Sequence, residues 1–124
     1  MKNVRIKANN IELTKAIEDY FKSKIDSLDK FIDSSDESIE CNARVSKTTR
    51  HHQSGDFFKA EVSIHTAGKI FGAVSEKDNL YAAIDDVRES VMRKMTSYKD
   101  KKQTLFKRGA HKVKNLLKGF KNDK

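Results

Sequence analysis

Residues 3–8 alternate in polarity, with Val4, Ile6 and Ala8 on one side and Asn3, Arg5 and Lys7 on the other. A period of two over this length predicts a half-buried strand. Asn9-Asn10 ends it, and Thr14 is placed to cap a helix, its hydroxyl accepting from an otherwise unpaired backbone N–H. Ile17, Tyr20, Phe21, Leu28, Phe31 and Ile32 then recur at helical spacing, with Lys15, Asp19, Lys22, Asp26 and Asp29 opposite. This predicts an amphipathic helix of about five turns. Ser34-Ser35-Asp36-Glu37 reads as loop. Ile39, Cys41, Ala43 and Val45 alternate with polar neighbours as a second strand, and residues 48–56, with His51, His52 and Gly55, are turn-like. Ala60, Val62 and Ile64 mark a third strand, Ala67-Gly68-Lys69 a hairpin connection, and residues 70–75, carrying Phe71 and Ala73, a fourth. Asn79 is a candidate cap for a second long helix with Leu80, Ile84, Val87, Val91, Met95 and Tyr98 as its stripe.

The order is β-α-β-β-β-α, an α+β class. Each helix has one apolar face to cover, and the simplest packing lays both on one face of a four-stranded, largely antiparallel sheet. The other sheet face then stays in water. Apolar spacing resumes late, at Ala110, Val113, Leu116, Leu117 and Phe120 among lysines. That suggests a short basic amphipathic helix whose length Gly109 and Gly119 limit. The organisation expected is a domain over 1–102 and a basic C-terminal tail over 103–124.

At 124 residues and 36% apolar content the chain holds one modest core. No apolar run approaches the roughly 20 residues that span a bilayer, and Met1-Lys2-Asn3-Val4-Arg5 lacks the apolar stretch of a signal peptide. The single cysteine, Cys41, excludes an intramolecular disulfide framework and a multi-cysteine zinc cluster. The expected compartment is the cytoplasm. Net charge is +8, and its distribution is uneven: residues 1–98 balance 16 basic against 16 acidic side chains, while 99–124 hold ten basic and two acidic. Such a segment suits a polyanion, nucleic acid first and an anionic membrane second; a solvated tail that only aids solubility is the plainer reading.

Catalytic patterns are scarce. His51 and His52 are adjacent, so regular structure points them apart, and His65 and His111 are remote from them. A solvated loop pair outweighs acid–base hydrolysis of RNA. Cys41 is in phase with Ile39 and Val45, which marks it as a small core residue. No Gly-rich phosphate loop, Cys-x-x-Cys pair or His-Glu-x-x-His motif occurs, so neither a metal nor a cofactor is expected. Lys24 departs from the pattern: on a helical wheel it lies near Ile17 and Leu28, inside the apolar stripe, and must snorkel or meet an anion. On the second helix Arg93 points away from the stripe, Arg88 and Lys94 flank it, and Lys99, Lys101 and Lys102 continue past Tyr98. Basic side chains at a helix C-terminus complement its dipole. The run is longer than one helix end requires, and phosphates along an RNA groove account for it.

Three segments carry a resemblance. Ile11-Glu12-Leu13-Thr14 precedes Tyr20-Phe21-Lys22-Ser23-Lys24-Ile25 with Leu28, Lys30 and Phe31; Leu80-Tyr81-Ala82-Ala83-Ile84-Asp85 is similar to an Asp-Met-Tyr-x-Ala-Ile-Asp signature; Arg93 is followed by Tyr98-Lys99-Asp100-Lys101. In this order and spacing the chain resembles, over residues 1–102, the ribosome hibernation promoting factor and ribosome-associated inhibitor family in its short form. The resemblance implies a double-stranded-RNA-binding-domain-like fold and no catalytic activity. It implies binding to 16S-type rRNA in the decoding channel of the small ribosomal subunit, on 70S-type ribosomes, with steric exclusion of mRNA and tRNA under stress or in stationary phase. Lys24, Lys30, Arg93, Lys99 and Lys101 match basic positions of the family, and Arg88, Lys94 and Lys102 complete the RNA-binding set expected here. A free monomer, no membrane and no small-molecule substrate are expected. Asn79 stands where the signature has Asp, keeping a cap and losing a charge, and Ser90 stands where a lysine is common. The basic tail is the largest departure, and whether ribosome pairing is promoted or blocked stays open. The competing readings are a generic structured-RNA binder, a membrane-surface protein docking through residues 110–120, and a ribonuclease using His51 or His52.

Overall fold

A computed structural model describes residues 1, 3–32, 37–49, 56–66 and 68–122, with side chains described as far as Lys101 apart from those of Thr49 and Asp56. Strand β1, Val4–Asn9, runs into Asn10, which takes the left-handed conformation (φ 58°) that asparagine tolerates better than most residues. Helix α1 covers Lys15–Asp26, and the Thr14 hydroxyl accepts from the Ile17 amide at 3.2 Å, as a capping residue should. The remaining strands are β2, Glu40–Thr49, β3, Asp56–Thr66, and β4, Lys69–Lys77; Gly68, at φ 74°, supplies the turn between the last two. Helix α2 spans Leu80–Asn122, and the Asn79 carboxamide accepts from the Tyr81 and Ala82 amides at its start.

The strands lie in the order β1-β2-β3-β4. β2, β3 and β4 pair antiparallel, while β1 pairs parallel with β2, bringing Arg5 beside Asn42 and Lys7 beside Arg44. A parallel pair needs a crossover, and α1 is that connection. Ile17, Phe21, Ile25 and Leu28 from the first helical segment meet Leu80, Ile84, Val87, Val91 and Met95 from α2 over the inward-facing Cys41, Ala43, Val45, Ala60, Val62, Ile64 and Ala73. The expected β-α-β-β-β-α order, the α+β class and the two helices on one face are all present.

Three local expectations are corrected. The first helix stops at Asp26, after three turns and not five. Ser27 donates its hydroxyl to the Lys24 carbonyl, and the chain tightens into a 3-10 turn, Asp29–Phe31, with Leu28, Phe31 and Ile32 bonding back three residues. Strands β2 and β3 extend into the span read as a turn, since Thr48 pairs with Phe57 and Thr49 with Asp56; residues 50–55, including His51 and His52, lie outside the described residues. The late apolar segment is not a separate short helix: α2 is continuous through Gly109 and Gly119. A glycine costs about 1 kcal/mol in a helix interior and does not block the hydrogen-bond ladder as proline would, and the chain contains no proline.

Phe21 is 1% exposed at the junction of both helices and the sheet. Phe21→Ala is expected to lower unfolding free energy by about 3–5 kcal/mol, read as a lower urea midpoint with an unchanged m-value.

Candidate nucleic-acid interface

The two helices advance in the same direction along their shared seam. Near the start of α2, Tyr20 donates to Asp85 at 2.6 Å; further on, Arg88 Nε donates to the Ser27 hydroxyl at 2.9 Å. Beyond that, Lys30 and Phe31 form a cleft with Met95, Thr96, Lys99 and Asp100. Parallel helices bring the end of α1 and its 3-10 turn beside a mid-helix stretch of α2, which continues to Asn122. There Lys30 and Lys99 line one cleft, and Lys101 follows on the same helix.

The expected basic residues divide into two groups. Lys24 and Arg88 are engaged within the protein. Lys24 Nζ lies 3.4 Å from Asp85 Oδ1 and 5.3 Å from the centre of the Tyr20 ring, so the anion its position in the stripe demands is the chain's own. Arg88, only 17% exposed in its side chain, holds Ser27 and Glu89 and stacks on Phe31. These two side chains brace the helix seam. Lys30, Arg93, Lys99 and Lys101 are exposed and make no ion pair among the described residues, Lys30 resting its ammonium 5.2 Å from the centre of the Phe31 ring. Lys94 leaves this side, reaching round the edge strand to donate to the Gly72 carbonyl. The side chain of Lys102 and all those of the tail lie outside the described residues.

Phe31 and Asp85 carry roles that sequence reasoning misses. Phe31 reads there as a stripe residue, yet it is a platform under two cations. Asp85 binds Tyr20 and Lys24 from a position far along the chain, and only its place within a recognisable signature hinted at it.

Chemically the surface offers several exposed cations, with the Asp100 carboxylate among them. Among the described residues no group of three His, Cys, Asp or Glu side chains is arranged to hold a metal, and no helix is long and apolar enough to cross a membrane. Cys41 is buried under the helices and its thiol is pushed up to about 12, chiefly by burial, so the reactive thiolate is suppressed. His65 sits within a strand, its Nε2 3.2 Å from the Ser63 hydroxyl.

Comparison with known proteins follows the same lines. Residues 4–103 match the family model described as sigma 54 modulation protein / S30EA ribosomal protein. A ribosome hibernation promotion factor of Picosynechococcus is 32% identical over 96 residues, 77% of this chain, which spans about half (48%) of that relative's length. Ribosome hibernation promoting factors of Klebsiella oxytoca and Escherichia coli are 29% identical over 98 residues, covering 79% of this chain and 94% of theirs. The N-terminal domain of Thermus thermophilus Protein Y superposes with a TM-score of 0.59 at 25% identity, covering 77% of this chain and 98% of that one. A ribosomal subunit interface protein from Coxiella burnetii shares the fold with the same TM-score at 13% identity, over 79% of this chain and 98% of that one.

Two outcomes test the site chemistry. A disulfide reagent such as DTNB at pH 8 should leave Cys41 unmodified in the native protein and react with it fully in guanidinium. The Tyr20 phenol is raised above its ordinary range, first by donating to Asp85 and then by burial. The stabilisation from this bond is complete below the ordinary tyrosine pKa and is lost as pH rises through the raised value. Asp85→Asn should therefore return Tyr20 towards the ordinary tyrosine range, read by phenolate absorbance against Tyr20→Phe as control.

Proposed function

This chain belongs to the sigma 54 modulation protein / S30EA ribosomal protein family, and from that premise we propose that it associates with ribosomes and inhibits translation by occupancy. On this reading the domain enters the decoding channel of the small subunit, holds rRNA phosphates, and excludes mRNA and tRNA. No bond is made or broken, and the block reverses when the protein leaves. The names of the relatives, ribosome hibernation factors, support the ribosome as partner. The single observation that carries the mechanism is the set of exposed cations on the turn that follows α1 and on the adjoining stretch of α2: Lys30, Arg93, Lys99 and Lys101, none ion-paired among the described residues. Unpaired surface cations keep their counterions in solution until a phosphate displaces them, and that release drives binding.

Lys24 and Arg88, though basic, contribute on this reading by keeping the two helices in register. The tail over 103–124 adds phosphate contacts beyond the channel. The protein acts as a free monomer in the cytoplasm, with no cofactor.

Sedimentation of the full chain with purified ribosomes at two salt concentrations tests the proposal. Comigration with small subunits or whole ribosomes at low salt is expected, with release as salt rises. Lys30→Gln/Arg93→Gln/Lys99→Gln/Lys101→Gln should flatten the slope of log affinity against log salt by roughly 0.7–0.9 for each phosphate no longer neutralised, as should deletion of 103–124. Protein that stays at the top of the gradient at low salt rejects the ribosome as partner, and equal affinity for unrelated folded RNA would favour a generic RNA binder.

A further inference from the structure

The sheet face turned away from the helices carries a second cationic cluster drawn from three elements. In the parallel β1–β2 ladder Lys7 lies directly beside Arg44, and Arg5 precedes them on the same face beside Asn42. Neighbouring strands are about 4.8 Å apart and alternate residues about 6.6 Å, so the three side chains rise from one small area. Like charges directly opposite one another weaken a sheet, and Lys7 and Arg44 are such a pair. Arg5, Lys7 and Arg44 are all exposed, and none makes an ion pair among the described residues. Glu61 is the cross-strand neighbour of Arg44 on β3, but its carboxylate is 3.1 Å from the Lys59 ammonium.

A fourth cation is delivered from the opposite layer. Lys94 starts on α2, passes the β4 edge and donates to the Gly72 carbonyl, and one cleft is lined by Arg5, Lys7, Arg44 and Lys94 together with Asn42, Ser63 and the Lys59-paired Glu61. An ammonium has three donors, so Lys94 keeps capacity for an anion after that bond. The exposed apolar side chains of this face are Ile70 and Val74, both on β4; Val74 lines the cleft at its β4 side and Ile70 lies outside it. So narrow an apolar strip is a small foothold for a lipid surface, whereas a phosphate backbone needs only the cations and hydrogen-bonding groups.

We propose that the outer sheet face, through Arg5, Lys7, Arg44 and Lys94, is a second binding surface for the phosphate backbone of folded RNA, so that the domain is gripped by RNA on two opposite sides. The inference rests on the ribosomal reading above and deepens it. One cationic face suffices to dock on an RNA surface, whereas cations on both faces suit a cleft with two RNA walls. The repulsion between Lys7 and Arg44 in the free protein is the quantity the bound phosphates relieve.

The test uses the full chain and the triple variant Arg5→Gln/Lys7→Gln/Arg44→Gln. A purely structural role predicts no change in RNA affinity, while removing a like-charge pair keeps or raises the melting temperature and so guards against misfolding. The proposal expects the salt slope for purified small subunits to fall by roughly 0.7–0.9 for each of the three side chains replaced. Cysteines introduced at Asn9, beside this face, and at Ser97, on α2, carry tethered iron chelates. Because Cys41 is buried, labelling goes to the introduced thiols, and each probe is expected to cut a different segment of rRNA. A wild-type salt slope in the triple variant, or cuts from Ser97→Cys alone, overturns the assignment. If wild-type protein ignores ribosomes altogether, the ribosomal reading fails separately, and the outer face is judged on a free RNA duplex, where a reduced slope upholds it and an unchanged one overturns it. Loss of binding to phosphatidylglycerol vesicles with RNA binding intact would likewise overturn it in favour of a membrane.

Discussion

The arrangement depends on covering one face of a four-stranded sheet with two helices and nothing more. Small inward residues make this possible: Ala60 and Ala83 are fully buried, and Ala43 and Ala73 nearly so, allowing the helix layer to sit close over the strands. Burial of apolar surface stabilises by about 25 cal/mol per Å², and this face holds almost all of the buried apolar side chains. Because α1 is the crossover between parallel strands, it returns in a fixed direction, and α2 lies beside it running the same way. The turn that ends the first helical segment therefore lies beside Met95, Thr96 and Lys99, part-way along a helix that continues to Asn122. The meeting of Lys30 and Lys99 follows from packing.

The same constraint sorts the cations by what they already touch. A basic residue at the helix seam has carboxylates and aromatic rings within reach, and Lys24 and Arg88 are held by Asp85, Glu89, Tyr20 and Phe31. A basic residue on the far side of α2 or past its contact with the sheet, such as Arg93, Lys99 or Lys101, is exposed and makes no ion pair among the described residues. Exposed ion pairs contribute little to stability, so the free lysines cost the fold almost nothing and remain available to an external anion. The body can thus be neutral over residues 1–98 and still present positive surfaces.

Much of this was legible along the chain, and the limits have physical causes. Alternation over residues 3–8 and 39–45 and the caps at Thr14 and Asn79 are local signals, and each is where the pattern puts it. The first helix was over-extended because Leu28, Phe31 and Ile32 keep apolar spacing through a 3-10 turn, and a period of three cannot be separated from 3.6 over a single turn. The ends of β2 and β3 were hidden because Thr48 and Thr49 pair with Phe57 and Asp56 where the core no longer imposes alternation. The direction of β1 was the costliest gap. In a largely antiparallel sheet Arg5, Lys7 and Arg44 are ordinary solvent-facing positions; the parallel register of β1 with β2 puts Lys7 and Arg44 side by side.

That register bears on what kind of binder the domain is. A protein meant to rest on a flat polyanion would gain by concentrating its cations on one face and leaving the other neutral or acidic. Here the two sets lie on opposite sides of the core, one on the helix layer and one on the open sheet, with Lys94 spanning from the helix layer to the sheet edge. Attraction between a cation and a screened phosphate falls away within about 8–10 Å at physiological salt, less than the combined thickness of a helix and a sheet. No single flat surface can then reach both sets at once. A cleft can, and a rigid neutral wedge charged on both faces would be drawn into it until both walls are met. Filling the space is then sufficient to inhibit, and the proposed role asks nothing of the side chains beyond charge and shape.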